Sequence, residues 1–268
     1  MTLPRLGQGT WNMGDSAARR KDELAALREG IALGMTLIDT AEMYGDGRSE
    51  TLVAEAIAGM RQKIFLVTKV LPSNASRKGV LRACEASLKR LKTDDVNLYL
   101  LHWSGSHPLE ETVRGFEDLL AAGKIRAWGV SNLDLSEMHR LANVPGGKAC
   151  ATNQVLYNLS RRGIEFDLLP WCQARNMPVM AYSPVEQGRI LGRKALKEVA
   201  RRVGATPAQV ALAWVLRQEG VAAIPKAASV AHVRENHEAL ALRLDADALK
   251  ALDAAFPPPK KARPLEML

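Results

Sequence analysis

The chain has 268 residues, 47% apolar and 25% charged, with a formal net charge of +8. This is close to the roughly 250 residues of a (β/α)8 barrel and enough to bury a core without disulfides; the three scattered cysteines, Cys84, Cys150 and Cys172, show no CxxC or Cys/His metal spacing. No window reaches the about 20 apolar residues of a membrane span, no signal-like run opens the chain, and the basic residues, Arg161-Arg162 among them, are dispersed beside acids like solvated faces, so a cytoplasmic enzyme with neither membrane nor nucleic acid as partner is expected.

Short apolar strands alternate with longer amphipathic helices. Strands are expected at residues 5–10, 36–38, 64–70, 96–101, 125–130, 149–154, 179–182 and 221–224. Apolar residues at the three- and four-residue period place helices between them, at 17–33, 49–59, 76–91, 109–122, 134–141, 164–176, 207–218 and 230–240. Ser76, Asp134 and Thr206 before Pro207 read as N-caps, and Gly34, Gly123 and Gly220 stand where helices end. Two helices are extra, at 190–203 and 245–256, and a proline-rich basic tail, 257–268, is expected to lie on the surface or fray. Eight β/α units with nearly continuous apolar strands argue for one α/β domain over 1–268, a closed parallel TIM barrel.

In such a barrel chemistry sits at the C-terminal strand ends. The stretch TLIDTAEMYGDGRSE carries Asp39 at a strand end and Tyr44 five residues on, before a glycine-rich turn. Lys69 lies inside the otherwise apolar IFLVTKV, where an ammonium needs a partner, and Asp39 is the natural one. A cation beside Tyr44 should lower the phenol's pKa and let it exchange a proton near neutrality. His102 follows VNLYLL and could bond a substrate oxygen or relay a proton. Together the four would protonate a carbonyl oxygen while something else attacks the carbon.

The motifs DTAEMYGD, LVTKV, LYLLHW, WGVSN, NQVLYN, AYSP and IPKAAS, in this order, resemble those of the aldo-keto reductases, with bacterial methylglyoxal and 2,5-diketo-gluconate reductases nearest in feel. The resemblance implies a barrel that holds NADP(H) without a Rossmann fold and reduces small aldehydes or ketones to alcohols by hydride transfer. It makes Tyr44 the general acid, Lys69 and Asp39 its tuning pair, and His102 the group that orients the carbonyl. It assigns Ser131, Asn132 and Gln154 to the nicotinamide carboxamide and Tyr182 to stacking on the ring. Ser183, Pro184, Val185, Gln187 and Gly188 would form the loop over the pyrophosphate. Thr10 and Trp11 would line the nicotinamide, with Asp39 close by, and Trp11 and Trp103 the substrate. Lys226, Ser229, Glu235 and Asn236 would hold the adenosine end.

Two departures bear on that end. Ala227 stands where the family often has serine, and His232 where it often has arginine; both weaken the grip on a 2′-phosphate, so NAD(H) is a possible second cofactor, with Arg234 as a nearby compensating cation. The short loop of residues 103–108 suggests an open pocket for small substrates. Rival readings are a lyase with a Schiff base on Lys69 and a non-catalytic NADP(H)-binding barrel. With no spare strand edge or long apolar helix face, a monomer is expected.

Overall fold

The computed structural model describes residues 2–268. Eight strands, β1 (Gly7–Gly9), β2 (Leu37–Asp39), β3 (Phe65–Val70), β4 (Leu98–Leu101), β5 (Trp128–Ser131), β6 (Asn153–Leu156), β7 (Val179–Tyr182) and β8 (Val221–Ile224), pair in parallel in chain order. The sheet returns on itself through a parallel bridge between Leu6 and Ala223 and the bonds Ala223 N–H to Arg5 O and Gly9 N–H to Pro225 O. Helices α1 (Arg20–Ala32), α2 (Arg48–Ala56), α3 (Arg77–Leu91), α4 (Leu109–Ala121), α5 (Leu135–Asn143) and α6 (Leu168–Gln173) follow the first six strands in turn. The pair α7 (Lys194–Arg202) and α8 (Pro207–Leu216) precedes β8, and α9 (Val230–Glu238) and α10 (Ala246–Ala255) follow it. Among the described residues no helix is long and apolar enough to cross a membrane.

The expected caps act as such. Ser76 accepts from Gly79 N–H, and Asp134 and Thr206 close capping boxes with Glu137 and Gln209. Several expected bounds shift, as where the helix placed at 190–203 begins at Lys194 and the strand placed at 125–130 at Trp128, and two shifts have a clear local cause. The strand placed at 149–154 begins only at Asn153, because Gly147–Ala149 first makes a 3-10 turn. The helix placed at 164–176 shrinks to α6: Pro170 has no N–H and its ring blocks a helical turn upstream, so Asp167 caps a helix that holds the proline in its first turn.

Two apolar layers follow from the period of two in each strand. Leu37, Val67, Leu98, Leu100, Met180, Ala222 and Ile224 fill the inside of the barrel, with Leu3 packed against them. The outward residues Ile38, Leu66, Tyr99, Val130, Val155, Ala181 and Ala223 join the helices in the larger core. The tail lies along the surface, where Leu265 packs on that core and Glu266 pairs with Arg161.

Candidate active site

One pleat beyond the inner apolar layer, the same alternation turns polar. Inward Leu37 is followed two residues on by Asp39, Val67 by Lys69, Leu100 by His102, Gly129 by Ser131, Thr152 by Gln154 and Met180 by Tyr182. The strand pleat thus aims six polar or ionisable side chains at one mouth of the barrel.

Lys69 is fully buried and Asp39 nearly so. The ammonium spends its three hydrogens on Asp39 Oδ2 at 2.8 Å, Thr40 O at 2.9 Å and Tyr44 Oη at 3.1 Å. Burial works against its charge, but the Asp39 carboxylate and the Tyr44 oxygen outweigh that and leave its pKa raised. Tyr44 opens a tight 3-10 turn, Tyr44–Gly47, in which Gly45, Asp46 and Gly47 all take positive φ. Gly47 is required there: at φ 85° a Cβ would also strike the Arg90 side chain.

Tyr44 departs from the expected direction. Burial raises its pKa most; Lys69 pulls it down, Asp39 pushes it up, and the balance lies above the ordinary phenol value. The ammonium moderates the rise without reversing it, so the phenol keeps its proton at neutrality. His102 packs edge-on to Tyr44, ring centroids 5.7 Å apart, and against Trp103 at 4.8 Å. Burial, and then the charge on Lys69, push its pKa down to about 2, so it is a neutral imidazole and no proton relay through imidazolium is open to it. Its Nδ1 is sealed in without a partner. An empty acceptor is a cheaper orphan than an empty N–H, which places the ring hydrogen on Nε2.

The polar residues around these four form one network. Gln154 Nε2 donates to Asp39 Oδ1 at 2.7 Å; a carboxylate can only accept, so the amide carbonyl is the end left over. Ser131 donates to Gln154 O and accepts from Asn132 Nδ2, and Tyr182 donates to Asn132 Oδ1 at 3.0 Å. Burial pushes the Tyr182 phenol up to about 12, with the Leu268 backbone amide drawing it back part way. Thr10 is buried and bonds Asp39 O, while Ser49 donates to Thr10 and accepts from Thr40, tying β1, β2 and the start of α2 together. Trp11 (44% exposed) and half-buried Trp103 are the aromatic residues at this rim, with Met43 also exposed.

Beyond β7 the turn of Ser183, Pro184, Val185, Gln187 and Gly188 takes positive φ at Ser183, Glu186, Gln187 and Gly188. Pro184 is buried and Gln187 exposed. After β8, Lys226 stands exposed and Ser229 caps α9 through His232 N–H. His232 is exposed, Glu235 half-buried and Asn236 buried. Arg234 donates to Glu29 of α1 at 2.7 Å, so the compensating cation is already engaged.

Three buried carboxylates support the site, of which Glu23 and Glu50 have no role assigned by the motifs named above. Fully buried Glu50 accepts from Thr68, the neighbour of Lys69, at 2.6 Å and from Arg90 at 2.6 Å, beneath the Tyr44 turn. Buried Glu23 accepts from Gly14 N–H and fixes the Trp11 loop. Buried Glu186 collects Asn158, Arg161 and Arg189. The signal for Glu23 and Glu50 was a carboxylate on the apolar face of a helix. Arg162, assigned to a solvated face, is buried and bonds Glu165, Asp253 and Phe256 O.

A closed parallel barrel that gathers a carboxylate, an ammonium, a phenol and a neutral imidazole at one mouth is built as a barrel enzyme. The family model described as "Aldo/keto reductase family" matches residues 5–256, and the chain belongs to that family of oxidoreductases. It is 56% identical over 273 residues to the methylglyoxal reductase YeaE of Escherichia coli, an alignment spanning all of this chain and 96% of that one. Among solved structures it superposes with a TM-score of 0.98 and 51% identity on an aldo/keto reductase from Klebsiella pneumoniae in complex with NADP and acetate, covering 99% of this chain and 96% of that one. It superposes on the thermostable aldo-keto reductase Tm1743, in complex with the inhibitor epalrestat, with a TM-score of 0.87 and 39% identity, covering 94% and 95%.

Proposed function

We propose that this chain uses NADPH to reduce small aldehydes and ketones, 2-oxoaldehydes of the methylglyoxal kind among them, with Tyr44 giving the proton to the carbonyl oxygen. The observation that carries the proposal is the commitment of all three Lys69 hydrogens, one of them to the phenol oxygen. That oxygen already accepts, so its own hydrogen turns away from the lysine, toward the mouth. The neutral His102 offers its Nε2–H as a second donor. Two donors meeting on one oxygen stabilise the charge that develops there as the carbonyl is reduced.

The residues fit the cofactor. Gln154 keeps a carbonyl acceptor for a carboxamide, and half-buried Tyr182 offers an aromatic face. Exposed Lys226 adjoins the N-terminal, electropositive end of α9, a suitable place for phosphate. When bound, the dihydronicotinamide supplies the hydride. With Arg234 held by Glu29, Lys226 is the cation left for a 2′-phosphate, so NADPH is preferred and NADH tolerated. Trp11, Met43 and Trp103 give an open apolar rim suited to small substrates, and the name of the Escherichia coli relative and the NADP bound to the Klebsiella one support the assignment.

The Schiff-base reading has little support. A nucleophilic lysine needs a lowered pKa, whereas Lys69 is raised and hydrogen-bonded on every side. The test is NADPH oxidation over a panel of aldehydes. Tyr44→Phe should lose about 10² to 10⁴ of kcat while NADPH binding persists; turnover near wild type in that variant, or no NADPH oxidation with any aldehyde, overturns the proposal.

A further inference from the structure

We propose that Arg161 is a positioning residue that couples the C-terminal tail to the turn after β7, so that seating of Glu266 sets how fast NADPH leaves. The inference rests on the reading of that turn as the cover of the cofactor pyrophosphate.

Arg161 sits between two carboxylates on separate segments. Its Nε and Nη2 donate to Glu186 Oε1 at 3.2 and 3.1 Å, and its Nη1 donates to Glu266. Glu186 is 4% exposed and also accepts from Arg189 at 3.0 Å and Asn158 at 2.8 Å. The backbone explains why so many bonds converge on one side chain. Glu186 and Gln187 take φ of 50° and 54°, and Ser183 one of 46°. Each is uphill for a residue with a Cβ and persists only where its surroundings dictate it. The clamp on Glu186 is what dictates it here, and loosening the clamp lets the turn relax.

The tail meets the same turn from outside. Leu265 packs on the core and Glu266 holds Arg161, whose other edge reaches Glu186 within the turn. A guanidinium is a rigid planar fork. With one edge held by Glu266 its other edge stays aimed at Glu186; without Glu266 the arginine, 35% exposed along its side chain, can swing toward solvent. Arg189 and Asn158 keep part of the clamp, so the effect is graded.

The measurement is the NADPH release rate, followed by nicotinamide fluorescence on displacement with excess NADP⁺. Glu266→Gln, a change at a partly exposed site that leaves the core intact, should speed release about threefold, the scale of a partly exposed ion pair. Arg161→Met should speed it about tenfold, and adding Glu266→Gln to Arg161→Met should change nothing further. Added salt should bring wild type toward the Glu266→Gln rate and leave that variant nearly unmoved. The hydride-transfer rate in single turnover should stay at the wild-type value in both variants, which general unfolding would not allow. Release unchanged in Glu266→Gln, or the same acceleration with and without Arg161, overturns the coupling while leaving the cofactor reading intact. Absence of NADPH binding in wild type overturns both.

Discussion

Acidification should destabilise this protein through His102. In the unfolded chain an imidazole takes up its proton as pH falls through about 6.5. In the fold, burial and the neighbouring Lys69 charge hold that uptake off until about 2. Between those values the unfolded state binds more protons, so stability is present above the unfolded pKa and is lost as pH falls, by about 1.4 kcal/mol per unit. From about pH 7.5 to about pH 5 the loss comes to about 2 kcal/mol. Urea unfolding at the two pH values, for wild type and His102→Gln, isolates the contribution: wild type should lose about 2 kcal/mol more than the variant. Identical pH dependence in the two proteins would refute the buried neutral imidazole. An acid limb in kcat near pH 6.5 that vanishes in His102→Gln would refute it independently, since a neutral donor has nothing to titrate there.

Other perturbations test the supports of the site. Asp39→Asn cannot accept from both Lys69 and Gln154, since one face of the amide is a donor; it should cost about 3 kcal/mol in urea unfolding and at least about a hundredfold in kcat/KM, and kcat/KM within threefold of wild type would count against the tuning pair. Arg90→Met strands the buried Glu50 beneath the Tyr44 turn and should lower Tm by about 10 °C in calorimetry, with the paired change Glu50→Leu recovering much of it. Lys226→Ala should weaken NADPH about tenfold in fluorescence titration and leave NADH nearly unchanged; equal losses for both cofactors would remove Lys226 from the 2′-phosphate.

Much of the fold and the centre of the site was legible because strand periodicity is local. An apolar run that turns polar at its C-terminal end reports an inward side chain above the barrel core, and that rule found Asp39, Lys69 and His102, while Ser131, Gln154 and Tyr182 came with the family resemblance and share the same mouth in the fold. The placement of Lys69 in a strand even named its partner, since a buried ammonium demands a carboxylate. What stayed hidden depends on distances across the chain. The pKa of Tyr44 depends on how far the fold strips water from a half-buried phenol, and a motif reports neighbours but not depth; that desolvation outweighed the cation. Gln154 reads as a free amide until the fold brings it to Asp39, 115 positions away. Arg161 and Arg162 look alike in sequence, yet one straddles two carboxylates and the other is buried against α10. A charged residue declares its function only through what the topology sets against it, so the least legible parts of this site are those where two loops distant in sequence share one ion.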